Sequence, residues 1–532
     1  MIPKLRPPSP GNSEPQNYNL PQNFNGTAPA ENTGELSTTE FFNDPTLASL
    51  INQALVGNQQ LKILNEDIAI ANNEIWRRMG AYLPFVSLGA GASLTKYSAN
   101  TIEGADNLQD ITPQGGPFPS PYPDFMVAAD VSWQIDIWRQ LRNARDAQRL
   151  RYLGTTDGRN YTLTRLVAEI AENYYRLMSL DKRLENLDLI IRLQEQSLEI
   201  AQARKIAARG TELAVQRFIA EVRKNQSEKL IIYQDIIETE NRINFLCGRY
   251  PQPVERVSAG FLNLQLHAIA VGLPAQLLQN RPDIRQAERE LEAAGLDIRV
   301  ARANFFPKPI ISAGVGWEAF NPKYLFITPE SLIYNVAGDL VAPLVNKRAI
   351  QADFMNANAR QLQALYEYQR VILNAFTEVV NRVNKVQNYS ISIAIKRQQV
   401  TALETSVEVA SNLFQNARIE YIDVLFAQRD LFDARRVLID TKNEQLSAIV
   451  NAYQALGGGW QVSPGQPVLP PGPGMPELLP FPTEPLPPPA AVEPLPPANM
   501  PPANMPPADL APPMAPAMAA PAMAPPMPPA NQ

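Results

Sequence analysis

The chain has 532 residues, with 47 Lys and Arg against 53 Asp and Glu, and it contains one Cys and one His. A net charge of -6 gives no strong attraction for a polyanion, so we expect no nucleic-acid partner. The single Cys247 and the single His267 exclude a disulfide framework, a multi-cysteine metal site and most histidine-based catalysis.

Residues 1–44 are rich in Asn, Pro, Gly and Ser, which is typical of a flexible or draped arm. The first residues contain neither the apolar core of a secretory signal nor a cysteine for a lipid anchor, so whether the protein is lipidated stays open. Further along, no stretch approaches the roughly 20 consecutive apolar residues of a transmembrane helix.

The middle of the chain is duplicated. Residues 58–91 align without gaps on residues 281–314, and each copy passes through an aromatic-proline step that ends at Pro84 or Pro307. We therefore predict a first repeat over 45–250, a connector over 251–272 and a second repeat over 273–462, each repeat with a helix, a strand pair and a long helical hairpin. Two such halves favour a symmetric wall over a catalytic cleft.

Each repeat contains two segments with a period of two, which predicts four strands with one apolar face and one small or polar face. These strands are long enough to cross a bilayer at a tilt. Four strands cannot close a pore, and an open edge is not tolerated in lipid, so a membrane location requires several chains to share one barrel. The apolar faces run from Val86 to Leu94, Val127 to Ile137, Ile311 to Ala319 and Leu332 to Leu340.

Two proline-free intervals, 125–250 and 344–463, permit very long helices. Between Leu163 and Ala201 apolar residues follow alternating steps of three and four, interrupted by Asn173 and Gln194, which predicts a coiled-coil seam. A helix over 141–205 would be roughly 100 Å long. The run 154–158, which holds two glycines, predicts a kink or an interruption in its upper part. The second interval has a similar but less regular seam.

Residues 463–532 hold more than half of the 50 prolines and are rich in Ala and Met. This composition predicts an extended, polyproline-like tail without fixed tertiary structure. The role of the tail stays open.

The arrangement resembles the TolC-like outer-membrane factor family, over about residues 43–460. The similarity rests on the duplication, on LLQNRPDI followed by ARANFFP in the second copy, on VSWQIDIWRQLRNA in the first copy, and on YIDVLFAQRDLFDARR after the second helical turn. The pattern LLQNRPDI followed by ARANFFP is similar to the lipoprotein-type drug-efflux branch of the family.

The resemblance implies a mainly helical fold with a membrane β-sheet. Three copies would donate four strands each to one twelve-stranded β-barrel, and their helices would form a long coiled-coil α-barrel across the periplasm. It also implies a passive exit duct in the outer membrane, in contact with outer-membrane lipid, for a tripartite efflux pump or a type I secretion system. A periplasmic adaptor and an inner-membrane transporter of the RND or ABC type would be its partners.

The resemblance also implies roles for the breaks in the two long helical stretches. Arg209, Gly210, Thr211, Arg418 and Ile419 are the predicted adaptor contacts, and Gly210 is predicted to adopt positive φ in the first turn. The predicted constriction is formed by Asp423, with Tyr421 and Glu212 as further candidates for the same rim. Three copies of Asp423 around an axis would select and gate by charge.

No Ser/His/Asp arrangement, phosphate-binding loop or metal cluster stands out in the sequence, so we predict no enzymatic activity, cofactor or metal. A soluble coiled-coil scaffold, in which strands cap stacked helical rods, stays open as the alternative function. The exported substrate is not encoded in a recognisable motif of the chain.

Overall fold

The computed structural model describes residues 3–5, 32–112, 115–343, 347–416 and 418–460, without the side chain of Leu108. The tail predicted over 463–532 and most of the predicted arm lie outside the described residues. Within these ranges, none of the helices is both long and apolar enough to cross a membrane.

The elements follow the duplicated order expected from the sequence. The helices are α1 (Thr38–Phe42), α2 (Pro45–Gly57), α3 (Gln59–Gly80), α4 (Ile102–Gln109), α5 (Gln140–Ile206), α6 (Glu212–Leu246), α7 (Gln276–Asn280), α8 (Pro282–Ala303), α9 (Arg348–Gln415) and α10 (Tyr421–Ala455). The strands are β1 (Phe85–Thr95), β2 (Tyr122–Gln134), β3 (Lys308–Ala319) and β4 (Leu332–Val341). All four predicted strands are present, although β2 ends before Ile135.

The strands form one antiparallel sheet in the order β1-β2-β3-β4. Its register confirms the predicted apolar faces, because their residues meet one another across the strands, whereas the opposite face also contains Met126, Ile310 and Ile333 among its small and polar residues. One row consists of Val86, Val131, Ala313 and Val336, and the next row consists of Ser87, Asp130, Gly314 and Asn335. β1 and β4 each pair with only one other strand of the described chain.

Each strand is joined to one helix: α3 leads into β1, β2 into α5, α8 into β3, and β4 into α9. These four helices are called the helical wall. The helices pack in the same lateral order as the strands, α3 on α5, α5 on α8 and α8 on α9. Farther from the sheet, α5 packs on α6 and α10, and α10 packs on α9. The long helices thus form two hairpins, α5–α6 and α9–α10, which pack against each other.

The predicted interruption at 154–158 is wrong, because α5 is continuous from Gln140 to Ile206, while a kink at this place stays a prediction. The small residues serve packing instead. A Cβ atom added at Gly154 would lie 3.5 Å from Cβ of Arg289, and one at Gly158 would lie 3.0 Å from Oε1 of Gln286. The glycines therefore allow α8 to approach α5 closely, and that packing offsets their low helix propensity.

The largest apolar core lies where the hairpins meet the short helices α1, α2 and α3. The seam residues Leu163, Leu166, Ile170 and Leu177 are buried there, as the period of three and four predicts. Phe41 of α1 stacks on Tyr453 of α10 with ring centroids 4.0 Å apart, so residues of the predicted arm pack on the second hairpin. Cys247, at the end of α6, is buried in the same core.

Candidate functional site

The turn between α5 and α6 spans residues 207–211 and closes with backbone hydrogen bonds. The Arg209 N–H donates to the Arg204 carbonyl at 2.8 Å, and the Ala208 N–H donates to the Lys205 carbonyl at 3.0 Å. These two bonds are typical of a helix that ends with a residue in the left-handed conformation. Here that residue is Ala208, whose φ is 54°. Thr211 then begins α6, because its hydroxyl oxygen accepts from the Ala214 N–H at 3.3 Å.

The prediction that Gly210 supplies positive φ is wrong, because Ala208 does so. The left-handed position is fixed by the end of α5, and Gly210 lies beyond it. A glycine is favoured at 210 for a different reason. A Cβ atom there would lie 3.1 Å from the backbone nitrogen of Lys205 and 3.2 Å from Cβ of Arg204, so the chain passes close to the last turn of α5.

The turn between α9 and α10 repeats one of these hydrogen bonds. The Arg418 N–H donates to the Leu413 carbonyl at 2.9 Å, which is the same five-residue spacing as the bond between Arg209 and Arg204. The two hairpins therefore reverse in a similar way, although only the first turn contains a glycine.

Arg204 of α5 joins the two turns. Its guanidinium donates to the carbonyl of Phe414 and, at 3.5 Å, to that of Gln415, the last residue of α9. The guanidinium carbon lies 3.9 Å from the centroid of the Phe414 ring, a cation–π contact. The positive charge of Arg204 therefore stabilises the C-terminal end of α9, where carbonyl groups have no helical partner.

Glu212, a candidate for the constriction, bonds within its own hairpin. It forms an ion pair with Lys205 across the first turn and accepts from Nε2 of Gln216 at 2.7 Å. The ion pair with Lys205, followed by the bond from Gln216, lowers the pKa of Glu212 below its ordinary value. Glu212 therefore stays ionised, with its charge largely balanced by Lys205.

Asp423, the main candidate for the constriction, is exposed in the first turn of α10. Its Oδ2 accepts from the Glu420 N–H at 3.3 Å, while the Glu420 side chain accepts from the Asp423 N–H. This reciprocal arrangement is a capping box. Asp423 thus stabilises the start of α10, and its carboxylate has no cationic partner among the described residues.

Tyr421, the third candidate, is half-buried between the hairpins. Its ring lies 6.2 Å from that of Phe218, and both belong to an apolar cluster with Val215 and Leu425. The structure therefore brings Tyr421 to α6, whereas Glu212 and Asp423 are each bonded within their own hairpin.

The predicted adaptor contacts lie at the ends of the hairpins. Arg209, Gly210, Thr211 and Arg418 are exposed, and Ile419 is half-buried. Two apolar side chains beside them were not predicted, since Ile206 is 87% and Leu213 is 57% exposed. Arg204 was also missed. Basic residues in the last turn of a helix are a recognisable signal, but its partner lies 210 residues away in the sequence.

In the described part of the chain, no group of three or more His, Cys, Asp or Glu side chains is placed to hold a metal ion.

Comparison with known proteins shows what the chain is similar to. The family described as outer membrane efflux protein matches residues 50–249 and 273–458. The cation efflux system protein CusC of Escherichia coli O6:H1 is 27% identical over 452 residues, which are 84% of this chain and 93% of CusC. The solvent efflux pump outer membrane protein SrpC of Pseudomonas putida is 28% identical over 425 residues, 80% of this chain and 87% of SrpC.

Among solved structures, the open state of the MtrE outer membrane channel of Neisseria gonorrhoeae superposes with a TM-score of 0.74. The match covers 87% of this chain and 98% of MtrE at 20% sequence identity. At that identity the likeness concerns the fold, in which a sheet continues into long helical hairpins.

Proposed function

The chain belongs to the outer membrane efflux protein family, and we propose that its two hairpin turns form the closed, charge-selective entrance of an exit duct. The protein is an outer-membrane efflux channel. Channels of this family form trimers and work with periplasmic adaptors and inner-membrane pumps. Nothing supports the soluble scaffold, and the sheet with its two open edges fits a shared barrel, since β4 of one copy can pair with β1 of the next.

The observation that carries the proposal is the Arg204 contact. α9 has fewer buried residues than α5, and its C-terminal end is held by a side chain from the other hairpin. Hydrogen bonds to a charged group contribute about 1.5–3 kcal/mol. An adaptor that replaces this contact can release the second hairpin, so Arg204 acts as a clamp that keeps the entrance closed.

We assign the charge selection to Asp423. Its carboxylate is exposed, and three copies around an axis would place three negative charges at one level. The predicted adaptor contacts Arg209, Gly210, Thr211, Arg418 and Ile419 surround the same turns and would meet the adaptor there, with Ile206 and Leu213 offering apolar contact area. Tyr421 and Glu212 would support the rim.

We further propose that the inner-membrane partner is a transporter of the RND or ABC type and that this partner, not the duct, selects the substrate. The names of similar proteins refer to different cargoes, namely cations, solvents and pyoverdine.

Asp423→Asn tests the selectivity. The amide can still accept the hydrogen bond from the Glu420 N–H, so α10 keeps its cap while the ring loses its charge. We expect block of the channel by multivalent cations in planar bilayers to weaken severalfold. Asp430→Asn, an exposed position on the same helix, is the matched control and should change block less. Unaltered cation block in Asp423→Asn would remove Asp423 from the entrance.

Arg204→Met tests the clamp. The substitution keeps much of the apolar volume but removes the donors to the end of α9. We expect higher single-channel conductance without adaptor, because the second hairpin is released. Arg204→Lys, which keeps the charge but loses the planar fork, should lie between wild type and Arg204→Met. Conductance equal to wild type in Arg204→Met would show that other contacts close the entrance.

A further inference from the structure

A cavity of about 470 Å³ lies between the N-terminal end of α5 and the C-terminal end of α8. It is located directly next to the ends of β2 and β3, where the sheet gives way to the helical wall. Arg139, Arg299 and Arg302 line it together with Trp138 and Phe306. None of these residues has a role in the entrance.

The three arginines carry uncompensated charge. All three are exposed, and none forms an ion pair within the described ranges of the chain. Arg139 has a left-handed backbone, with φ of 56°, at the residue before α5. This conformation is uncommon for a residue with a Cβ atom. The guanidinium groups are thus free to bind an anion.

Carboxylates near the cavity are already neutralised by other arginines. Asp146, which lines the cavity, accepts from Nη2 of Arg145 at 2.6 Å. Asp297 of α8 is likewise paired with Arg151. The net charge available in the cavity is therefore positive, and an Arg fork matches the oxygen atoms of a phosphate group.

An aromatic pair marks one wall of the cavity. The ring of Trp138 stacks on that of Phe306, with centroids 4.6 Å apart and an angle of 21° between the planes. The indole N–H donates to the Pro307 carbonyl at 2.8 Å, and Trp138 is nevertheless 44% exposed. An exposed, oriented Trp at this level is typical of the boundary between lipid and water.

The cavity opens on the side of the wall that carries the apolar strand face. In β3 the polar, even-numbered residues hydrogen bond toward β4, as in the 2.9 Å bond from the Glu318 N–H to the Ser331 carbonyl. The apolar, odd-numbered ones bond toward β2, as Pro309 does with Ile135 at 3.1 Å. β3 follows α8 and therefore runs away from the helices. When the apolar face is viewed with the helices below the sheet, the chirality of L residues places β2 to the right of β3.

The helices follow the strands in the same order, so α5 lies to the right of α8 in that view. α5 meets α8 through Gly154 and Gly158 and lies beside α3 on its opposite side, which fixes its rotation. Counting the helical turn of 100° per residue from the contacts of α8 with α5 puts Arg299 toward the viewer, and Arg139, the residue before α5, lines the same cavity. The cavity that Arg299 lines therefore opens toward the lipid side and not the lumen.

We propose that this cavity binds the phosphate headgroup of a phospholipid in the membrane leaflet nearest the helical wall. The acyl chains would lie along the apolar strand face, and the three guanidinium groups would hold the phosphate at the boundary that Trp138 marks. The assignment rests on the outer-membrane location of the channel. It gives the protein a fixed depth in the membrane through a site separate from any covalent anchor.

The test uses the full-length oligomer in detergent, titrated with dioleoyl-phosphatidylglycerol, with bound lipids counted by native mass spectrometry. Arg139→Gln, Arg299→Gln and Arg302→Gln together should weaken lipid binding by roughly tenfold or more, since three charge-assisted contacts are lost. The matched control is Arg192→Gln, Arg217→Gln and Arg360→Gln, which removes the same charge from other exposed positions. It should bind like wild type.

Equal lipid binding by the cavity variant and wild type would overturn the proposal, as would an equal loss in the control. Inorganic phosphate that displaces the lipid at comparable concentration would show a site for free anions instead. If the triple variant fails to assemble, Arg299→Gln alone, at an exposed position, should still weaken binding severalfold. Conductance measured on the same preparations reports separately on the duct, so failure of one conclusion is distinguishable from failure of the other.

Discussion

The two repeats contain equivalent junctions at which a short helix begins beside the end of a hairpin. Asn58 precedes α3, and its Nδ2 donates to the carbonyl of Leu246, the last residue of α6, at 2.8 Å. Arg281 precedes α8, and its Nη1 donates to the carbonyl of Ala455, the last residue of α10, also at 2.8 Å. Both side chains are buried, and they occupy the same position in the duplicated sequence.

The backbone at the two junctions is also alike. Gly248 and Gly457 follow the hairpin ends with φ of 68° and 90°. A Cβ atom would lie 2.1 Å from the Gly57 carbonyl oxygen in the first junction and 2.5 Å from that of Asn280 in the second. Both junctions therefore have a glycine at the place where the chain after the hairpin passes close to the carbonyl of the residue before Asn58 or Arg281, because only glycine fits there.

The difference lies in charge. Asn58 is neutral and accepts from the Leu61 N–H at 3.1 Å, so it completes the cap of its own helix. Arg281 forms ion pairs with Asp283 at 2.7 Å and with Glu378 of α9 at 3.0 Å. Arg281 of the second junction thus also binds α9, which Asn58 of the first junction does not do. The same backbone geometry is stabilised by neutral hydrogen bonds in the first repeat and by ion pairs in the second.

Arg281→Met should give the largest effect. It leaves the carboxylates of Asp283 and Glu378 without their partner and the Ala455 carbonyl without its donor. Breaking a buried ion pair costs roughly 3–5 kcal/mol. We expect a marked fall in the unfolding midpoint of the purified oligomer, followed by circular dichroism. A loss no larger than that of an exposed substitution such as Arg360→Met would contradict the importance of this network.

The charge contrast reappears where the connector meets the hairpins. Arg256 of the connector pairs with Asp181 of α5 at 2.6 Å. On the second hairpin, buried Lys442 donates to the Leu264 carbonyl at 2.7 Å and forms no ion pair with any described residue. Burial, and then the charge of Arg397, lowers the pKa of Lys442 to about 8.

Stability should therefore depend on pH through Lys442. The unfolded chain, in which the lysine has its ordinary pKa of 10.5, binds more protons than the folded chain between about pH 8 and 10.5. The free energy of unfolding then rises with pH across this window, by on the order of 2 kcal/mol. Unfolding midpoints of wild type and Lys442→Met, compared at pH 7.5 and 10, measure it. A parallel pH dependence in the two proteins would count against an effect of this lysine.

The sequence predicts those parts of the fold that rest on local periodicity. The alternation in β1 to β4 and the seam from Leu163 to Ala201 give correct strands and helices, because each depends on neighbouring residues facing one core. Gly154 and Gly158 mislead, since low helix propensity is offset by packing against α8, which no local pattern reports. Arg204 is missed for the same reason.

The turn at the end of α5 shows a finer limit. Glycine preference assigns positive φ to Gly210. The left-handed residue lies at a fixed distance after the last residue of the helix, however, and this position is Ala208. Likewise, the duplication aligns Asn58 with Arg281. Because an amide and a guanidinium differ so much, the sequence does not reveal that each of them donates to the carbonyl of the last residue of a hairpin.

Asn58→Ala should give the smallest of these effects. It removes the cap of α3 and leaves the Leu246 carbonyl without its donor, at a cost of roughly 1–2 kcal/mol, but it strands no charge. The unfolding midpoint of the oligomer should fall less than in Arg281→Met. Because the junctions share no bonding partner, the double variant should lose about the sum of the two single losses. A double variant no less stable than Arg281→Met alone would mean that the second junction already opens the first.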